Sequence, residues 1–297
     1  MVETIGVSTT PGIPAGWTRG ELRAIIGKYF GYHRGKVTGG SASYVVDSSL
    51  VRYADDYWNG ACLYVLDADG APPQGDEATV IDFTSSTGRL DLAPALSATV
   101  EGGDSYELFQ RVTASQIHEA INRVASGSLA VSSLTAAGSG TVDYSLIGID
   151  GLYRPQQVES VWWRQAVTGL RRQPVELEGW RIEDNAGVLT LRLREPIAQD
   201  DSLWLHYRLG PGGLQHDDSK VNLPPTLVRA RAIVYLLENM LSTQDALGIE
   251  KYGTLLRDMR EVAAREAAAY QPLPQRAHNV VWTSTSGTAR YYRIFGV

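Results

Sequence analysis

Hydrophobic positions along this chain switch between two periods, and the switches mark its elements. Leu22, Ile25, Ile26, Tyr29 and Phe30 recur at helical spacing, so an amphipathic helix is expected over 18–31. Thr18-Arg19-Gly20-Glu21 fits a capping box at its start, and Gly31 is placed to close it. Residues 32–43 are Gly-rich and basic; without a phosphate-binding Gly pattern they read as a flexible loop. From Tyr44 to Gln110 the period falls to two. Ala61–Leu66, Thr79–Phe83, Arg89–Leu92 and Ser105–Phe109 read as strands, with Ser85-Ser86-Thr87-Gly88 as a hairpin turn. Short strands broken by Gly and Pro imply an antiparallel sandwich or small barrel.

Helical spacing returns over 115–126, with Ser115 as the expected cap and Ile117, Ala120, Ile121 and Val124 on one face. A Ser-, Gly- and Ala-rich loop over 126–140 leads to a second strand region. Its strands are expected at 142–146, 157–163, 175–182, 188–193 and 203–207, with Trp162, Trp163, Trp180 and Trp204 among them. After Leu223-Pro224-Pro225 two longer helices follow, over 225–242 and 247–270. The first is apolar around more than half its circumference and should be central; the second carries mixed charge. These readings give an α+β fold: a small helical bundle (18–31, 113–127 and 224–270) with antiparallel, sandwich-like β insertions at 44–110 and 141–210. Residues 1–17 read as an N-terminal arm and 271–297 as an extended C-terminal arm.

That last segment differs in kind. Arg276, Arg290 and Arg293 are its only charged residues, on a chain of net charge -6. Val280, Trp282, Arg290, Tyr291, Tyr292, Arg293 and Phe295 make it basic, aromatic and strand-prone. It reads as an arm that docks on a partner by strand addition, the alternative being a terminal hairpin that completes the chain's own β-layer.

Composition narrows the function classes. At 297 residues, 43% hydrophobic and 20% charged, the chain is ordinarily globular. Its acidic balance argues against a broad nucleic-acid-binding face. The single Cys62 excludes an intramolecular disulfide or a cysteine metal cluster, and in a strand it reads as a small buried hydrophobe. No run approaches the roughly 18 apolar residues of a membrane span, and the N-terminus lacks signal-peptide character. His33, His118, His206, His216 and His278 form no metal-ligand pair, and there is no nucleophile elbow. Asp55-Asp56 and Asp67-Ala68-Asp69-Gly70 can offer oxygen ligands, but they read better as turns, and Asp217-Asp218 as a solvated loop. No catalytic residue, metal or cofactor is therefore assigned, and the chain is not read as an enzyme. The tryptophans fit core and interface better than a sugar platform.

Certain short motifs carry a resemblance. They are Thr18–Phe30, Asp47-Ser48-Ser49-Leu50 leading to Asp56-Tyr57-Trp58-Asn59-Gly60-Ala61, Gly103–Leu108, and Ile117–Asn122. Leu205-His206-Tyr207-Arg208, Asp217-Asp218 and Leu223-Pro224 with the apolar helix after them complete the set. In this order the chain resembles the head-to-tail adaptors (neck or connector, tail tubular or gatekeeper-like proteins) of tailed bacteriophages. The resemblance implies a virion structural protein, assembled in the host cytoplasm, forming a ring of about twelve copies beneath the portal. It further implies contacts with portal and with tail or nozzle proteins, passage of genomic DNA through the ring, and a portal-docking role for the C-terminal arm. The alternatives are a carbohydrate-binding β-sandwich module or another tail or baseplate component.

Overall fold

A computed structural model describes residues 17–67, 75–134, 142–164, 175–185, 188–198, 201–210, 213–221, 223–241, 246–270, 279–283 and 289–293. The chain runs β1 (Trp17–Thr18), α1 (Arg19–Gly27), β2 (Tyr32–Lys36), β3 (Gly39–Gly40), β4 (Tyr44–Val46), β5 (Cys62–Asp67), β6 (Glu77–Thr84), β7 (Arg89–Ala93) and β8 (Ser105–Phe109). Next come α2 (Ala114–Ala125), β9 (Leu129–Leu134), β10 (Asp143–Ser145), β11 (Val158–Arg164), β12 (Val175–Glu176), β13 (Arg181–Asn185) and β14 (Val188–Arg192). It ends with β15 (Ser202–Arg208), β16 (Lys220–Val221), α3 (Pro225–Leu241), α4 (Ala246–Ala269), β17 (Asn279–Thr283) and β18 (Ala289–Arg293). The fold is α+β with antiparallel sheets, as expected.

Two compact units divide the chain, and the divisions fall inside helices rather than around them. The helices expected to form the bundle each cross a boundary between the units. One unit, 20–121 with 229–261, contains the sheet β2-β8-β5-β6-β7-β4-β3. Its two ends are the same piece of chain. β2 leads into β3 through Val37, whose N–H donates to Asp104 O (2.8 Å), and Thr38, whose N–H donates to Val46 O (2.7 Å). The stretch 32–40 thus bonds to both ends of the sheet, closing it into a six-stranded antiparallel barrel.

Alternation along the strands fills the barrel. Leu63, Val65, Val80, Phe83, Leu90, Val45, Tyr106 and Leu108 are buried in one continuous core. At roughly 1.5–3 kcal/mol for each fully buried large side chain, this core is the main stabilising term of the unit. Outward-facing Cys62, Tyr64, Glu107 and Phe109 are buried too.

The expected loop over 32–43 is corrected here: Tyr32–Lys36 is a barrel strand paired in register with β8. Its glycine misled the reading. A Cβ on Gly35 would collide with Asp47 Oδ2 and the Tyr106 hydroxyl, so the strand needs glycine for close approach rather than for flexibility. The hairpin β6–β7 lies where the pattern placed it. The cap of α2 is Thr113, not Ser115. Thr113 Oγ1 accepts from the Gln116 N–H (3.1 Å), and Gln116 Oε1 accepts from the Thr113 N–H (2.9 Å), a reciprocal pair.

The other unit, 122–228 with its flanking terminal segments, holds smaller sheets: β12-β11-β15-β9, β10-β14-β13, β1-β16 and β17-β18. β9 corrects the expected Ser-rich loop over 126–140. It pairs along its length with β15, so tertiary pairing overrides weak local propensity. One face of this sheet buries Val161, Leu203, Leu205 and Tyr207. Helix α3 buries Leu227, Val228, Ala230, Ala232, Ile233, Leu236 and Leu237, which matches the expected central helix. Thr226 Oγ1 donates to Glu266 (2.7 Å) and Arg260 donates to Glu238 (2.7 Å), so α4 runs back along α3.

Candidate functional site

The sequence places function in the C-terminal segment, and there the backbone forms a hairpin. β17 pairs with β18 antiparallel: Val280 stands opposite Tyr292, Val281 opposite Tyr291, Trp282 opposite Arg290 and Asn279 opposite Arg293. β17 lies beside β13. Phe295 and the stretch 271–278 lie outside the described residues.

In the barrel unit the structure assembles a buried polar cluster that no sequence motif announces. Arg23 of α1 and Glu107 of β8 are each 1% exposed. Arg23 Nε donates to Glu107 Oε2 (2.7 Å), and Tyr32 donates its hydroxyl to Glu107 Oε1 (2.7 Å). Arg23 Nη1 lies 2.8 Å from His118 Nε2. A guanidinium only donates, so His118 carries its proton on Nδ1. The guanidinium also sits 4.3 Å from the Tyr64 ring centroid. Burial and the neighbouring carboxylate push the Tyr32 hydroxyl well above its ordinary range. Both carboxylate oxygens are engaged, and the cluster fastens α1 and α2 to the barrel wall.

At one end of the barrel, Tyr106 donates to Asp47 Oδ2 (2.7 Å) while Asp47 Oδ1 accepts from the Ser49 N–H (2.8 Å). His33 lies among Trp58, Tyr53 and Tyr106, with ring centroids 5.8, 6.2 and 6.4 Å away. Burial lowers its pKa against the pull of Asp47, so it stays neutral. Tyr57 extends this group, stacking on Tyr53 at 4.8 Å. Asp55 and Asp56 act as turn acceptors: Asp55 Oδ1 takes the Ser85 N–H (2.7 Å) and Asp56 Oδ1 takes Asn59 Nδ2 (2.8 Å). Asp67 ends β5, and residues 68–70 of the expected turn lie outside the described residues.

In the acidic loop of the other unit Asp218 is exposed, as expected of a solvated corner, but Asp217 is not. Asp217 pairs with Arg19 at 3.0 Å and is 14% exposed, while Arg19 Nη1 donates to Leu214 O (2.8 Å). Asp150 Oδ2 accepts from Ser219 Oγ, from the Gln215 N–H (3.0 Å) and from the His216 N–H (3.3 Å). Asn122 exchanges two bonds with the backbone of Leu214. Leu214–Ser219 is therefore a braced joint. Asp150 was invisible in sequence because its role is to receive donors from 65 or more positions away.

Trp162 and Trp163 are partly buried and partnered. Trp162 donates to Ser160 Oγ (2.9 Å) and stacks on His206 at 5.6 Å, whereas Trp163 donates to Asp201 (2.8 Å). Burial alone takes His206 down to about 4. Burial also pushes the Cys62 thiol up to about 12, so at neutral pH it is a protonated small hydrophobe. Among the described residues no group of three or more His, Cys, Asp or Glu is arranged to hold a metal, and no described helix is long and apolar enough to cross a membrane. In comparison with known proteins, no family model matches the chain, and no curated protein matches it.

Proposed function

We propose that this protein is a structural subunit of a tailed-phage virion, a ring-forming head-to-tail adaptor seated between portal and tail. The observation that carries the reading is the construction of α3. A helix with one buried face, introduced by Leu223-Pro224-Pro225 after the braced loop 214–219, is linked to the charged helix α4 by hydrogen bonds at Thr226–Glu266 and Arg260–Glu238. The acidic overall balance suits a wall past which DNA must slide without sticking.

In this reading the basic hairpin β17–β18, with Arg290 and Arg293, engages the portal. Reversing both arginines to Glu in the full-length protein, and separately deleting 271–297, should abolish capture by the purified portal of the same virion. The reversed variant should keep the wild-type far-ultraviolet spectrum. Portal binding retained by that variant would sink the assignment.

A further inference from the structure

Alternation along β2 places His33, Gly35 and Val37 on the inner side of the barrel, and Val37 belongs to the continuous core. His33, near the start of the strand, therefore stands at one end of the interior. There it meets the segment 47–61, which joins β4 to β5. That segment is fastened on several sides. Asp47 N–H donates to Gly88 O (3.0 Å), Asp56 N–H to Phe83 O (3.1 Å) and Gly60 N–H to Val80 O (2.8 Å). It sends Leu50 and Trp58 into the core and sets Tyr53 beside His33. The segment is thus a plug over one end of the barrel.

Two polar atoms of this plug are left over. His33 Nε2 and Trp58 Nε1 are buried with no hydrogen-bond partner among the described residues. Asp47 is the one carboxylate that acts on His33, and both its oxygens are taken. Oδ1 accepts from the Ser49 N–H (2.8 Å) and Oδ2 from the Tyr106 hydroxyl (2.7 Å). Arg52, the cation that acts on His33 from the same segment, sits over the Tyr53 ring at 5.1 Å. Arg34, next along β2, is exposed, and Asp55 and Asp56 are held by Ser85 and Asn59. A neutral imidazole suits this setting of Tyr53, Trp58 and Tyr106. In the imidazolium both ring nitrogens donate, so Nε2 would become a buried donor, and a charge would stand among aromatic rings.

We propose that the segment 47–61 is an acid-released plug, with His33 as its sensor and Asp47 as its latch. A proton on His33 draws the Asp47 carboxylate toward the ring. To answer, Asp47 must let go of Tyr106 or of the Ser49 N–H. Those two bonds hold the start of the segment to β8 and close its first turn. The plugged form accommodates only the neutral ring, so burial lowers the pKa of His33 against the pull of Asp47. Plugging is therefore at full strength above the ordinary histidine value and weakens as pH falls below it. Release uncovers the core at Leu50 and Trp58 while the strand ladders stay paired.

Hydrogen exchange read by nuclear magnetic resonance on the full-length protein, followed downward from neutral pH, tests it. Protection of the Ser49, Leu50 and Tyr53 amides should fall by up to about tenfold per pH unit below the ordinary histidine value. The ladder amides of β5 and β6 should keep theirs over the same range. His33→Phe, a ring that takes no proton, should abolish the dependence, whereas His206→Leu should leave it intact. Tyr106→Phe frees Asp47 Oδ2 to receive His33 and should move the loss to higher pH. The wild-type His33 ring, titrated in the same spectra, should gain its proton as Ser49 loses protection, which keeps the test decisive should a variant not fold. Constant protection at Ser49, an unaltered dependence in His33→Phe, a His33 titration without change at Ser49, or simultaneous loss in β5 and β6 overturns the proposal.

Discussion

The two units reach a stable β-structure by different routes. The barrel closes on itself and encloses one continuous apolar core, with buried charge at the Arg23–Glu107 pair and at Asp47 and Asp104. The other unit divides its strands among small sheets. It joins distant segments through polar bridges: Arg19 to Asp217, Asp150 to 215–219, Arg208 to Glu159 and Arg192 to Asp143. Closure satisfies the backbone without help from side chains, whereas open sheets need cross-links to fix their mutual positions. In both units, then, loss of a buried partner should cost more than loss of an exposed bridge.

The largest effect is expected where charge is buried in the barrel. Arg23→Met leaves the Glu107 carboxylate, 1% exposed, with its tyrosine donor but no cation. Breaking a buried pair in this way costs about 3–5 kcal/mol. Denaturant unfolding should show that loss, and Arg23→Met combined with Glu107→Gln should recover much of it. Hydrogen exchange should rise in β5 and β8 before it rises in β11 and β15. A cost under about 1 kcal/mol would place the cluster among ordinary surface pairs and remove the contrast between buried partners and exposed bridges.

Next comes His206, a buried group of the other unit. Burial lowers its folded pKa to about 4 from an ordinary value of 6.5. Between those values the unfolded chain binds the extra proton. Stability is therefore full above the ordinary value and is lost progressively as pH falls toward the folded one, by up to roughly 3 kcal/mol. Urea unfolding followed from neutral pH to pH about 4 should show this decline, and His206→Leu should flatten it. An unchanged slope in the variant would assign the acid sensitivity elsewhere, His33 in the barrel being the next group with a lowered pKa.

Periodicity made the elements legible wherever local pattern and tertiary setting agree. The β6–β7 hairpin, β8, α3 and α4 lie within a residue or two of their expected bounds. It failed where partners far along the chain decide. Gly35 reads as flexibility but sits against Asp47 and Tyr106, and β9 reads as a Ser-rich loop but pairs with β15. Barrel closure was also hidden, because it depends on hydrogen bonds from Val37 and Thr38 to strands 67 and 8 residues away, at Asp104 and Val46. Asp217 was read as solvent-facing since nothing near it in sequence predicts Arg19. The polar clusters share one property: each joins residues whose separation carries no spacing rule.

The smallest expected effect sharpens the comparison from the side of the surface bridges. Arg192 donates to Asp143 through Nε (2.5 Å) and Nη2 (2.7 Å) and to Glu183 through Nη1 (3.0 Å), tying β10, β14 and β13 together. The hydrogen bonds from Arg192 hold the Asp143 carboxyl below its usual range. A depressed carboxylate contributes stability above its ordinary pKa and loses it only as pH falls below that range, well under the window set by His206. Arg192 and Asp143 side chains are 37% and 42% exposed, so water and salt screen the pair. Arg192→Gln should cost less than about 1 kcal/mol at neutral pH, and less again in high salt. Its loss should loosen hydrogen exchange in β10 first, because that short strand pairs only with β14 among the described strands. A cost approaching that of Arg23→Met would mean that the exposed bridge, rather than the buried side of β14 with Leu189 and Leu191, fixes this sheet.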